Sequence, residues 1–224
     1  IQITGYQTDL EEAELTVRRI ESLIGGSSYF SIDSRWAQEE AESREYSLND
    51  IVILYRFHSQ SRLLEKVLQR MGLPYRIFAK PKTNEPDDNL SYLGDRQIFQ
   101  NSEDELESEG LTLMTFHRAK GLEFPVVFML GCEQGIMPAS GGSLSNQDSQ
   151  FDLEEERRLF YVGMTRAKKR LFISHAKKRF LFGRTLENSP SAFLGDIEAK
   201  LRQLEESSHT SRKRPAQADQ LTLF

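Results

Sequence analysis

The chain has 224 residues, with 29 Lys plus Arg against 34 Asp plus Glu and a net charge of −5. That balance excludes a uniformly basic, histone-like coat, although a basic patch can sit on an acidic protein. A single cysteine, Cys132, excludes an internal disulfide and a cysteine-rich zinc site, and fits a reducing compartment. No apolar run reaches the roughly 20 residues that span a bilayer, and no signal-peptide pattern opens the chain. The expectation is a cytoplasmic protein of one or two domains without a membrane partner. The first residue is Ile1, not Met, which suggests a piece of a longer protein.

Residues 1–6 alternate apolar and polar, as in a strand with one buried face. Asp9 stands three residues before Glu12, a capping arrangement, and Ala13, Val17, Ile20 and Ile24 recur at helical spacing up to Gly25-Gly26. Residues 27–49 are polar, with Phe30, Ile32 and Trp36 as a flap that could pack on the domain. Ile51 to Tyr55 is a continuous apolar run, the signature of a strand buried on both faces of a parallel sheet. Ser59 or Ser61 can cap a following helix with a stripe of Leu63, Leu64, Val67, Leu68 and Met71, closed by Gly72. Tyr75 to Phe78 is a further strand, which completes a strand–helix–strand unit of right-handed sense.

From Glu85 to Glu109 there are nine acidic residues against one basic, Arg96, so residues 79–110 read as an exposed acidic linker. Two buried-strand patterns, 111–115 and 125–131, flank His117 to Glu123. Residues 139–150 are rich in Gly, Ser and Asn. Asp152 can cap a helix holding Leu159, Phe160, Val162 and Gly163, with Tyr161 expected in the core. Arg170 to Ser174 reads as the last strand, 192–206 as a final amphipathic helix, and the tail after Ser207 as polar linker. The predicted fold is α/β with a mostly parallel sheet built from strands near 3, 53, 76, 113, 127 and 172.

Two blocks carry the chemistry: Thr115 to Phe124 (Thr-Phe-His-Arg-Ala-Lys-Gly-Leu-Glu-Phe) and Glu154 to Ala167 (Glu-Glu-Glu-Arg-Arg-Leu-Phe-Tyr-Val-Gly-Met-Thr-Arg-Ala). They resemble two signature motifs of the UvrD/PcrA/Rep family of superfamily 1 DNA helicases. The segment 50–77, with Leu54-Tyr-Arg and Gln60-Ser-Arg, resembles an earlier part of the same domain. The resemblance covers 1–78 and 111–185. It implies a RecA-like, P-loop-NTPase-type second motor domain (2A) made of 1–78 and 111–206. Residues 79–110 would then stand where the family's 2B insertion belongs, and 207–224 would be a flexible tail. No G-x-x-x-x-G-K-[ST] string occurs, so the Walker A loop and the magnesium ligands are expected in a first motor domain, and this piece alone is expected to be inactive.

The resemblance also assigns roles. Arg166 matches the arginine finger, which stabilises charge on the γ-phosphate of ATP. Glu123 matches a residue placed against the ribose, and Gly121 beside it would let backbone approach the nucleotide. Thr115, His117 and Lys120 belong to the half of the motif that faces single-stranded DNA. Arg56 and Gln60 match family positions too, but local structure accounts for them equally well. Between Arg157 and Arg184 there are ten Lys or Arg and no acid, which suits either DNA steering or a solvated face in which Arg157 and Arg158 pair with Glu154 and Glu155. His58, His175 and His209 read as packing or surface residues.

The last five residues, Gln220-Leu-Thr-Leu-Phe, resemble the bacterial sliding-clamp-binding pentapeptide. Leu221, Leu223 and Phe224 would enter an apolar pocket, with Gln220 fixing orientation. The function implied is the second motor domain of an ATP-dependent, 3′→5′ DNA helicase that uses ATP and Mg2+, from a bacterium or archaeon, acting in repair or in clearing replication obstacles. Two alternatives remain at this point: a non-catalytic DNA- or clamp-binding module, and a helicase–nuclease subunit.

Overall fold

The computed structural model describes residues 1–25, 46–78, 110–139, 153–197, 201 and 203–206. The flap at 27–45, the acidic linker at 79–109, the 140–150 loop, the Asp152 cap, His209 and the tail lie outside the described residues.

One sheet organises the chain. Its strands are β1 (Gln2–Thr8), β2 (Ile51–Tyr55), β3 (Tyr75–Phe78), β4 (Leu111–Thr115), β5 (Phe124–Met129), β6 (Ala167–Leu181), β7 (Arg184–Glu187) and β8 (Gln203–Glu206). Their order is β3-β4-β2-β5-β6-β1-β8, with β7 hung on β6. Every pairing along the main path is parallel, and only β6–β7 is antiparallel. The first six strands fall where the hydrophobic pattern places them, and the fold is the expected RecA-like α/β type.

Helices α1 (Asp9–Leu23) and α2 (Ser61–Met71) cover one face, and α3 (Leu153–Met164) covers the other. The alternation along β2 shows the two layers: Val52 and Leu54 pack with Leu159 and Phe160 of α3, whereas Ile51, Ile53 and Tyr55 pack with Val17, Ile20, Val67 and Leu68 of α1 and α2. All five β2 side chains are buried. At about 1.5–3 kcal/mol for each buried aliphatic side chain, this strand anchors both cores.

Local signals differ from the expectation in several places. The α1 cap is Thr8, whose hydroxyl accepts from the Glu11 amide, while the Glu11 carboxylate accepts from the Gln7 amide at 2.7 Å. Asp9 is therefore the first helical residue, and Glu12 turns into the core. Neither Ser59 nor Ser61 caps α2. Instead the Gln60 side-chain oxygen accepts from the Arg56 and Phe57 amides at 3.0 and 2.8 Å, which is the local role the sequence left open for it. Gly72 closes α2 in the left-handed region, as its position suggests.

The final helix over 192–206 does not form. Ser191 caps a short 3-10 turn, Ala192–Leu194, and Phe193, Leu194 and Ile197 dock on the α3-side core. Residues 203–206 then add β8 to the open edge of β1, with Gln2 opposite Gln203. The apolar spacing was real, but Gly195 weakens a helix and an unpaired strand edge is a stronger attractor for the backbone. β6 is also far longer than 170–174 and turns through Phe182-Gly183 into the unforeseen β7.

Candidate nucleotide and nucleic-acid surface

β6 ends well beyond β5. Ile173 pairs with Met129, the last residue of β5, so beyond it β6 outruns β5 and continues beside β1 to Lys178 and beside β7 from Lys178 to Leu181. A buried ion cluster anchors this projection. The Arg179 guanidinium, only 6% exposed at its side chain, donates to Glu12 and, through Nε at 3.0 and 3.1 Å, to Glu133. Ser174 and the Gly131 amide donate to Glu12, and the Ala176 amide and Asn188 donate to Glu133. Burial alone would lower the guanidinium pKa, but Glu12 and Glu133 raise it well above its ordinary value. The same burial, with those two carboxylates nearby, pushes the Cys132 thiol up.

The hairpin tip has two residues in the left-handed region, Phe182 at φ 53° and Gly183 at φ 76°. A two-residue hairpin loop of this kind favours Asn or Gly, so a phenylalanine there carries strain. Phe180 is 64% exposed and Phe182 43% exposed, and Phe182 meets Phe57 edge to face at 5.3 Å. Lys177, Lys178 and Arg184 are exposed around them, with Lys178 paired to Glu187 at 3.1 Å. Sequence reasoning missed this aromatic tip. Its only local sign was the Phe-Gly step between two apolar runs.

Loop 116–123 links the two ends of the sheet. Thr115 is level with Tyr55 at the carboxyl edge of β2, whereas Glu123 immediately precedes β5 at the amino edge. Phe116 and Ala119 are buried and anchor the loop, while His117, Lys120, Gly121, Leu122 and Glu123 are exposed. Thr115 is buried, and its carbonyl accepts from the Arg118 and Ala119 amides. Gly121 sits at φ 86°, with open space where a Cβ would be, so backbone conformation requires the glycine. The six predicted residues do not form one cluster. Thr115 and His117 belong to the carboxyl end, with the aromatic hairpin, Gly121, Glu123 and Arg166 to the amino end, and Lys120 lies exposed in the loop between them.

Helix α3 positions Arg166. Glu154, Glu155 and Glu156 occupy its first turn, where negative charge suits the helix dipole. Glu156, Leu159, Phe160 and Gly163 face inward. Tyr161 does not: it is 64% exposed, contrary to the expectation, because it lies off that inward stripe. Glu156 holds Arg56 at 2.7 Å and accepts from the Ala139 amide, so Arg56 is committed to a buried pair. Arg158 pairs with Glu155 as foreseen, and Arg157 reaches Asp196 instead, both at 3.5 Å on exposed side chains. Such surface pairs contribute little.

Arg166 follows the helix. Its carbonyl accepts from the Phe124 amide at 2.9 Å, which joins it to the start of β5. Its Nε donates to the Val162 carbonyl at 2.9 Å, Nη1 to the Leu122 carbonyl at 2.9 Å, and Nη2 to the Thr165 hydroxyl at 3.0 Å. All three partners are neutral, so the guanidinium is held in place without losing its net charge. Glu123, next to Leu122, carries a carboxylate 59% exposed at its side chain, with Lys168 at 3.4 Å. A fixed cation with no ion-pair partner among the described residues, near an accessible carboxylate, can take a ligand with both anionic and hydroxyl groups.

Residues 79–178 match the model of the UvrD-like helicase C-terminal domain. Over 147 residues the chain is 42% identical to the ATP-dependent DNA helicase PcrA of Leuconostoc citreum, covering 64% of this chain and 19% of that protein. The chain belongs to the UvrD/PcrA family, as its C-terminal domain. The PcrA of Staphylococcus epidermidis RP62A is 38% identical over 156 residues, 70% of this chain and 20% of that protein. The chain thus spans about a fifth of the length of these UvrD/PcrA relatives. A crystal structure of the C-terminal domain of a possible DNA helicase from Lactobacillus plantarun WCFS1 aligns with a TM-score of 0.49 at 16% identity, over 91% of this chain and 83% of that one. Among the described residues no helix is long and apolar enough to cross a membrane.

Proposed function

We propose that this UvrD/PcrA-family domain is the second motor half of an ATP-dependent DNA helicase. The observation that carries the reading is the Arg166 guanidinium, fixed by two carbonyls and a hydroxyl and in no ion pair among the described residues. An arginine prepared in this way suits an oxyanion that gains charge during phosphoryl transfer. Glu123 would accept from ribose hydroxyls, and Gly121 leaves its side of the loop open to a nucleotide. ATP would supply the transferable γ-phosphoryl group. Its phosphate loop and magnesium ligands are assigned to the first motor domain, which is this domain's partner in the cleft.

Single-stranded DNA would run over the carboxyl edge. His117 and Lys120 are exposed in loop 116–123, and Phe180 and Phe182 provide aromatic faces next to exposed Lys177 and Arg184. Aromatic faces stack on bases of any sequence, and nearby cations hold the phosphates. Thr115 is covered, so its part in this track is to shape the turn that presents His117. The loop joins the DNA end to the nucleotide end in eight residues, 116–123, a short path for coupling hydrolysis to movement. The 3′→5′ direction, a role in repair, a cytoplasmic location and clamp binding through Gln220, Leu221, Leu223 and Phe224 complete the proposal on the family resemblance.

The test is turnover of the full-length parent. Arg166→Ala should lower kcat by about 10³ or more while ATP affinity falls much less. Turnover close to that of the unaltered enzyme would remove Arg166 from the reaction.

A further inference from the structure

We infer that Thr165 is the positioning residue for the Arg166 guanidinium, an inference that rests on the reading of Arg166 given above. The Thr165 hydroxyl donates to the Val162 carbonyl at 3.0 Å. Its proton is therefore committed, and its oxygen presents lone pairs to Arg166 Nη2, which donates to it at 3.0 Å. Arg166 Nε donates to the same Val162 carbonyl at 2.9 Å, and that oxygen has a lone pair for each donor. A closed relay results: helix carbonyl, threonine hydroxyl and guanidinium are linked pairwise at the end of α3. Nη1 completes the cradle on the Leu122 carbonyl at 2.9 Å.

The chemistry of the cradle explains why the residue is a threonine. Two of the three partners are backbone carbonyls and no side-chain substitution can remove them. Thr165 supplies the one side-chain partner of Arg166 among the described residues. A carboxylate at the same place would neutralise the cation and compete with a phosphate, whereas a hydroxyl orients the guanidinium and leaves its charge available. A guanidinium has five N–H groups, and three are occupied here. One N–H on Nη1 and one on Nη2 remain uncommitted among the described residues, the two donors that a phosphoryl group would use. Thr165 thus selects which edge of the guanidinium is offered.

The experiment compares steady-state ATP hydrolysis by the full-length parent carrying Thr165→Val, Thr165→Ser, Arg166→Ala, or Thr165→Val together with Arg166→Ala. Valine keeps the shape and removes the hydroxyl. Thr165→Val should lower kcat about tenfold or more, with KM for ATP nearly unchanged, since misplacing a catalytic group costs rate on this order. Thr165→Ser should restore kcat, and the double variant should be no slower than Arg166→Ala alone, because a residue that acts through Arg166 has nothing left to position. Thr165→Val with normal kcat, beside a slow Arg166→Ala, would overturn the positioning role and leave the finger intact. So would a serine variant as slow as valine, or a further loss of rate in the double variant, since either marks a purely structural cap on α3. A normal Arg166→Ala enzyme would remove the finger itself and the positioning role with it.

Discussion

The ring of Phe116 lies directly against Gly163: a Cβ on residue 163 would come within 2.7 Å of its Cδ1 and Cε1. Phe116 opens the loop that ends at Glu123, and Gly163 stands in the last turn of the helix that precedes Arg166. This one contact therefore sets the spacing between the two elements of the nucleotide end.

Gly163→Ala tests that contact. The added methyl must push the Phe116 ring or the helix outward, since Met129 closes the other side at 3.3 Å. Overpacking of this kind destabilises by about 1–3 kcal/mol, more than the gain in helix propensity. Chemical denaturation of this domain should show the loss. Phe116→Leu in the same background should recover part of it, because the smaller side chain makes room. An alanine variant as stable as the parent sequence would mean that helix and loop are not tightly set against each other.

The buried cluster makes a second prediction. Arg179→Met keeps volume but leaves Glu12 and Glu133 facing each other in the interior. Breaking a buried pair by removing one partner costs about 3–5 kcal/mol. Cys132 reports the same event. Burial, then Glu12 and Glu133, push its thiol up, so at pH 8 the folded domain should react with iodoacetamide far more slowly than the unfolded chain. Loss of the Arg179 charge pushes the thiol further up, so in Arg179→Met any faster labelling reports opening of the destabilised cluster, and the rate should rise sharply for that reason. Equal rates in the two proteins would show that the cluster does not hold the base of the hairpin.

Much of this architecture was legible because parallel strands buried on both faces leave continuous apolar runs, as at Ile51–Tyr55 and Leu111–Thr115. β8 was not, because it exists only as a complement to the free edge of β1, a relation between residues 2–5 and 203–206 that no local pattern records. Tyr161 departs from its expected place in the core because the inward stripe of α3 runs through Glu156, Leu159, Phe160 and Gly163 and leaves residue 161 off it. The motif points to Arg166, but what fixes it are the Val162 and Leu122 carbonyls, and backbone acceptors have no letter in a sequence. The hairpin tip combined both difficulties, since its strain is a backbone property and its exposure depends on how far β6 projects.

Phe182 supplies a third prediction, in which stability and binding move in opposite directions. Glycine at this left-handed position removes roughly 1–2 kcal/mol of backbone strain, against about 0.5–1.5 kcal/mol lost with the Phe57 contact. Phe182→Gly should therefore fold at least about as stably as the original sequence. Its affinity for a fluorescent oligothymidylate, measured by anisotropy in the full-length parent, should fall by about 1–3 kcal/mol for the lost stacked base. Unchanged affinity would take the hairpin tip out of the DNA track.

The tail carries the last prediction. Residues 207–219 include Ser207, Ser208, Thr210, Ser211, Arg212, Lys213, Arg214 and Pro215, a composition with no apolar face to bury. An apolar pentapeptide after such a segment, Gln220 to Phe224, is suited to a partner's pocket, and each bound residue has to lose conformational freedom on docking. The expected affinity for a bacterial sliding clamp is therefore modest, with Kd in the micromolar range, about −8 kcal/mol. Calorimetry of a peptide covering residues 207–224 against the clamp of the same organism measures it. Leu223→Ala with Phe224→Ala should abolish the heat, because the two side chains supply most of the apolar area. The same pair of substitutions in the full-length parent should leave ATP turnover unchanged, since Arg166 is held by the Val162 and Leu122 carbonyls of α3 and loop 116–123. A peptide that gives no heat and does not compete for the clamp at high concentration would end the clamp proposal without touching the motor assignment.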